Sequence, residues 1–191
     1  ETRGLGHTKG LVVFATGLGK TYLSGFDAIQ LAAKKILFIV HIGEILKQTR
    51  NSFEEIMPGR VSEMGFFTGT DKDKEKNILF ATIQTLTRPK NLNQFNTDDF
   101  DYVILDETHH LAAPSYKKVF EYFKPKFFLG LTATPDRSDQ QDILPFYENN
   151  LVYEMSQEES IKKGFLSSFN YFGFKDDIDY SNIYYSGFKY D

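Results

Sequence analysis

Leu11-Val12-Val13-Phe14-Ala15-Thr16-Gly17-Leu18-Gly19-Lys20-Thr21 is an apolar run that breaks into a glycine-rich turn ending in Gly-Lys-Thr. The run reads as a buried strand and the residues from about Gly19 as a helix start, so the turn between them has the form of a phosphate-binding loop. Each residue type has a reason to be there. Glycines let the backbone turn tightly and aim its N–H groups at phosphate oxygens, and the helix adds the positive end of its dipole. Lys20 would reach the terminal phosphates as a point charge, and the Thr21 hydroxyl would ligate Mg²⁺. Thr16, Gly17, Leu18, Gly19, Lys20 and Thr21 are therefore the expected cradle. The full pattern G-x-x-x-x-G-K-[ST] wants glycine where this chain has Phe14, so a plain strand-to-helix turn is the competing reading.

A second apolar run, Tyr102-Val103-Ile104-Leu105, leads straight into Asp106-Glu107-Thr108-His109 and puts two carboxylates at a strand tip. In a parallel sheet such tips line one edge, beside the phosphate loop. Asp106 is then placed to hold Mg²⁺ and Glu107 to polarise the water that attacks a γ-phosphate. The competing reading is a helix N-cap followed by a favourable first-turn acid.

Coarsely, strands are expected at 11–14, 36–40, 61–67, 78–82, 101–106 and 126–131, and helices at 19–33, 43–56, from 83, and 114–123. This alternation implies an α/β fold, a mostly parallel sheet with helices on both faces. Beyond Pro135 a helix near Gln140 and a strand around Leu151-Val152-Tyr153 are expected.

The strand Leu129-Gly130-Leu131 ends in Thr132-Ala133-Thr134-Pro135. With this third element the chain resembles the N-terminal RecA-like ATPase domain of superfamily 2 DEAD/DEAH-box-like helicases, of the restriction and repair type. The resemblance implies a three-layer αβα P-loop NTPase. Its Walker A motif would be Ala15 to Thr21, its DEAH-like box Asp106 to His109, and its motif III Thr132-Ala133-Thr134. Phe38 to Gln48 resembles motif Ia and Ala81 to Leu86 motif Ib, which implies nucleic-acid contacts at His41, Gln48, Thr82, Gln84 and Thr85. Ile42 stands where the family often has an arginine, which removes one phosphate contact. The resemblance also assigns His109, Thr132 and Thr134 to coupling between nucleotide state and motif III.

On the residues alone, Thr82 to Thr85 could equally be a helix cap after a buried strand. The pair His109-His110 does not read as a metal site, because adjacent residues at a helix start point different ways and the chain has no cysteine. His110 is expected to pack or cap.

Composition adds bounds. The chain has 191 residues, 41% of them hydrophobic and 16% aromatic, enough for one core with an appendage. It shows no secretory or membrane-spanning run, so a cytoplasmic setting without a membrane partner is expected. A net charge of −4 does not exclude a nucleic-acid partner, since strands can be gripped by backbone amides and a few side chains on one face.

The expected partners are ATP with Mg²⁺, single- or double-stranded nucleic acid with DNA preferred over RNA, and a second RecA-like domain of the same parent chain. That second domain would supply the arginine finger, and an upstream glutamine motif that reads adenine is expected before the first residue. The isolated piece is accordingly expected to bind ATP weakly and to hydrolyse it slowly or not at all. Residues 1–166 form the expected ATPase domain and 167–191 an exit segment or linker. Two other classes compete. A P-loop GTPase or kinase is disfavoured by the absence of Asn-Lys-x-Asp and the presence of Thr-Ala-Thr-Pro. A catalytically degenerate nucleotide-binding regulatory module is disfavoured by intact Lys20, Asp106 and Glu107.

Overall fold

The structure, a computed structural model, describes residues 2–133 and 143–169. Seven strands among them form one sheet: β1 (Lys9–Phe14), β2 (Ile36–Val40), β3 (Met64–Phe67), β4 (Ile78–Thr82), β5 (Tyr102–Leu105), β6 (Phe127–Thr132) and β7 (Leu151–Met155). Their order is β3-β4-β2-β5-β6-β1-β7, and every neighbouring pair is parallel. The expected mostly parallel sheet is thus parallel throughout the described residues.

Period-two alternation decides which side chain goes to which face. Leu79 and Ala81 of β4 join Leu37, Ile39, Val103 and Leu105 in one core, while Ile78 and Phe80 join Ile36, Phe38, Tyr102 and Ile104 in the other. Because both faces are covered, the inner strands read as near-continuous apolar runs rather than alternating ones. Over the second core lie α1 (Lys20–Gln30) and α2 (Gly43–Ile56); α2 sends Leu46, Thr49 and Phe53 inward at helical spacing. Two single-turn helices, α3 (Ile83–Leu86) and α4 (Pro89–Leu92), sit on the first core with α5 (Pro114–Tyr122), whose inward stripe is Tyr116, Val119 and Phe120. A last helix, α6 (Gln157–Lys162), follows β7 and has the Ser156 hydroxyl as its N-cap, accepting from Glu159 N–H.

Two boundaries differ from expectation by three residues. α1 ends at Gln30 rather than near residue 33, and Ala32, with φ 52°, turns the chain into β2. The strand expected over 61–67 begins only at Met64, because Pro58–Glu63 forms a 3₁₀ helix. Arg60 fastens that helix to the α1–β2 turn by donating to the Ala33 and Lys34 carbonyls at 2.8 and 2.6 Å. The helix expected near Gln140 and the assigned residue Thr134 lie outside the described residues.

The strand order also creates the site. β1 leads through α1 to β2 on the far side of β5 and β6, so the tips of β1, β6, β5 and β2 stand side by side. Ligands in open α/β sheets collect at such carboxyl edges.

Candidate active site

Leaving β1, the chain makes the glycine-rich turn with Gly17 at φ 89° and Gly19 at φ 84°, a left-handed backbone that side chains rarely adopt. Gly19 is the N-cap of α1 and offers no side chain to its first turn, so those backbone donors are presented to whatever enters the cleft. The Lys20 ammonium folds back onto the Phe14 carbonyl at 2.9 Å, within the loop's own mouth. Leu166, after α6, backs the loop: a Cβ on Gly17 would lie 3.4 Å from its Cδ2.

Across a cleft of about 330 Å³ stand Asp106 and Glu107, with Thr16, Gly17, Gly19, Lys20, Thr21 and Tyr22 on the loop side. Larger clefts, of about 600, 660 and 480 Å³, lie elsewhere and join no phosphate-type turn to paired acids. Burial, reinforced by the neighbouring Glu107 charge, pushes the Asp106 carboxyl up to about 6, against the Glu107 N–H and Lys20, which favour the anion. Neither acid behaves as a helix cap. Asp106 Oδ1 accepts from Glu107 N–H at 3.1 Å, and the Glu107 side chain makes no capping hydrogen bond to the 3₁₀ helix Thr108–Ala112 that follows.

Glu107 has φ 52° and ψ 45°, left-handed for a residue with a side chain. Such a conformation costs on the order of 1–3 kcal/mol, and strain of this kind gathers at functional sites. Its Oε2 lies 3.1 Å from His109 Nδ1, the same nitrogen that Thr132 Oγ1 reaches at 3.0 Å. A carboxylate facing Nδ1 selects the tautomer with the proton there, since a lone pair would be set against negative charge. His109 therefore ties Glu107 to the tip of β6, where Thr132 is fully buried.

The site fits ATP with Mg²⁺. No group of three His, Asp, Glu or Cys residues that could hold an ion exists among the described residues. Mg²⁺ suits such a setting because it takes few protein ligands and completes its shell with phosphate oxygens and water. Thr21 and Asp106 are the residues that would hold it, and the crowded carboxylate charge at Asp106 and Glu107 is what a cation would relieve.

On the adjoining edge, His41 follows β2 and Gln84 is the second residue of α3. Both are exposed, and Gln84 Nε2 donates to the His41 carbonyl at 2.8 Å. The remaining three residues assigned to nucleic acid stand elsewhere. Thr82 and Thr85 are buried, and Thr82 Oγ1 donates to Thr85 Oγ1 at 2.8 Å, so their hydroxyls shape the β4–α3 turn from inside. Gln48 turns to the phosphate loop, sharing the cleft wall with Ile45, Thr49 and Ser52. These four recur at helical spacing on one face of α2.

Sequence reasoning missed Tyr147. Fully buried, it reaches across β6 to the Thr108 hydroxyl, beneath the turn that carries Glu107. Its ring lies so close over Gly130 that a Cβ there would come within 2.4 Å. A glycine inside an otherwise apolar strand was the available signal, because it marks a close approach.

The profile of the family described as "Type III restriction enzyme, res subunit" matches residues 1–137. The chain belongs to this family. Among relatives of the res-subunit domain, the type I restriction enzyme EcoAI endonuclease subunit of Escherichia coli is 30% identical over 186 residues, covering 91% of this chain and 22% of that protein. The DNA 3'-5' translocase XPB2 of Sulfurisphaera tokodaii is 29% identical over 156 residues, covering 79% and 33%. The solved Hef helicase domain of Pyrococcus furiosus superposes with a TM-score of 0.71 at 19% identity, over 86% of this chain and 38% of that one, and so shares the fold. The chain is thus a RecA-like domain of the superfamily 2 helicase class, and it spans between about a fifth and a third of these curated relatives.

Proposed function

We propose that the domain binds ATP with Mg²⁺ in the cleft between the phosphate loop and Asp106-Glu107, and that within a longer protein it hydrolyses ATP to drive movement along nucleic acid, preferably DNA. One observation carries the reading: Lys20, Thr21, Asp106 and Glu107, distant in sequence, line a single cleft at the carboxyl edge of a parallel sheet.

In this reading the loop N–H groups and the α1 N-terminus hold the phosphates, and Lys20 leaves the Phe14 carbonyl to meet the terminal ones. Thr21 and Asp106 would hold Mg²⁺, which would supply positive charge to offset that of the phosphates. Glu107, oriented by His109, polarises the attacking water. His41 and Gln84 face the strand, with Gln48 serving the nucleotide side. Preference for DNA rests on two of the relatives, a restriction endonuclease subunit and a DNA translocase.

An arginine finger from a second RecA-like domain would complete the site, a contribution worth about 10³–10⁵ in rate in related phosphoryl transfer. Residues 1–166 would act alone as a weak nucleotide binder with little turnover, with 167–191 leading toward that second domain. A cytoplasmic location is part of the same proposal; among the described residues no helix is long and apolar enough to cross a membrane.

The test is ATP hydrolysis by the full-length protein with Mg²⁺, alone and with single-stranded DNA, double-stranded DNA or RNA, beside Lys20→Ala. DNA-stimulated turnover lost in the variant supports the reading. Nucleotide binding without turnover on any nucleic acid overturns it in favour of a regulatory module.

A further inference from the structure

Between the two edges of the site lies a packed column of rings. The His41 ring stacks on His110, with centroids 5.1 Å apart and planes at 27°, and His110 packs on His109 at 4.3 Å. Tyr116 of α5 braces the column: its hydroxyl meets His41 Nδ1 at 3.1 Å and its ring lies 5.5 Å from His110. At one end His109 Nδ1 contacts Glu107, and at the other the His41 carbonyl accepts from Gln84. The column runs from the exposed His41–Gln84 edge to His109, whose side chain is only 9% exposed. It spans neighbouring strand tips, since β2 pairs with β5 and Asp106 N–H donates to the Ile39 carbonyl at 2.9 Å.

We propose that His110 is a positioning residue: held between His41 and His109 and braced by Tyr116, it relays engagement of the His41–Gln84 edge by a nucleic-acid strand to the setting of Glu107. A strand pressing on His41 or Gln84 displaces a ring in contact with His110, and His110 bears on the imidazole that orients the carboxylate. Side chains in direct contact transmit such displacements to one another. Nucleotide in the cleft acts on the strand edge by the same contacts, as linkage of binding at two sites requires. The proposal rests on reading the domain as part of a nucleic-acid-stimulated ATPase.

The experiment compares wild type, His110→Ala, His110→Phe and Tyr116→Phe in the full-length protein, reading kcat and KM for ATP with and without saturating single- or double-stranded DNA or RNA. His110→Ala is expected to lower the stimulated kcat on the order of 10-fold, in the range of typical coupling between sites, with basal kcat and KM changed less than about twofold. His110→Phe, which restores a flat ring, recovers most of the stimulation. Tyr116→Phe keeps the ring volume, loses only the hydroxyl on His41, and weakens stimulation in part. Adding Gln84→Ala to His110→Ala brings no further loss, since both act on one path.

Stimulation left intact in His110→Ala and Tyr116→Phe overturns the relay while leaving the proposed function standing. So does a loss that falls equally on basal and stimulated rates. Should His110→Ala melt at assay temperature, Tyr116→Phe and His110→Phe decide. A wild type that hydrolyses ATP with no response to any nucleic acid overturns the proposed function and the relay together.

Discussion

Tyr147 and Thr108 meet hydroxyl to hydroxyl inside the protein, with the Tyr147 ring laid over Gly130 of β6. The pair supports the turn carrying Glu107 from below, and it works only while position 130 has no side chain.

Gly130→Ala is therefore expected to destabilise the domain by about 1–3 kcal/mol through overpacking, lowering Tm by several degrees. Tyr147→Phe leaves the buried Thr108 hydroxyl without this partner and costs about 1–2 kcal/mol, whereas Tyr147→Phe with Thr108→Val recovers much of that loss. Thermal melting of the four proteins checks both statements. A double variant no better than Tyr147→Phe would show that the hydroxyl pair is not the cause.

Asp106 sets a pH dependence. Its folded carboxyl is raised from 3.8 to about 6, so between these values the folded protein binds more protons than the unfolded chain. Stability without nucleotide then falls as pH rises through about 6 and is regained at lower pH. Asp106→Asn is expected to raise Tm at pH 7, by an amount equivalent to at most about 3 kcal/mol, and to flatten the pH profile between 4 and 7. The same variant should lose Mg²⁺-dependent nucleotide binding. A Tm unchanged or lowered at pH 7, with the original pH profile, would count against the raised carboxyl.

His109→Ala leaves the cleft walls in place and frees Glu107 from the β6 tip. It should lower kcat about 10- to 100-fold, the scale of a misplaced catalytic group, with KM for ATP changed little. Steady-state kinetics separate the two parameters. A KM effect alone would assign His109 to nucleotide binding instead.

Much of this was legible in the sequence for a physical reason. Strands buried on both faces leave apolar runs that need no alternation to be seen, as in Leu11 to Phe14 and Tyr102 to Leu105, and the loop glycines stand where a left-handed backbone is needed. Side-chain direction was not legible. The position of Gln48 within a motif gave no sign that α2 turns it toward the phosphate loop, and nothing in Thr82 or Thr85 foretold that the two hydroxyls bond to each other under α3. Nor could the ring column be read, because His41, His110 and Tyr116 come from three elements that meet only once β2 and β5 are neighbours.

In the proposed function, the phosphate loop and Asp106-Glu107 make one hydrolytic site with divided labour. Its most direct test is to measure Mg²⁺-ATP binding and nucleic-acid-stimulated hydrolysis in the full-length Glu107→Gln protein. Binding retained, with turnover reduced at least about 100-fold, is the predicted result, since the variant keeps the phosphate cradle and loses the group that polarises water. Hydrolysis near the wild-type rate would contradict the account, because the carboxylate that His109 holds in place would then have no part in the chemistry.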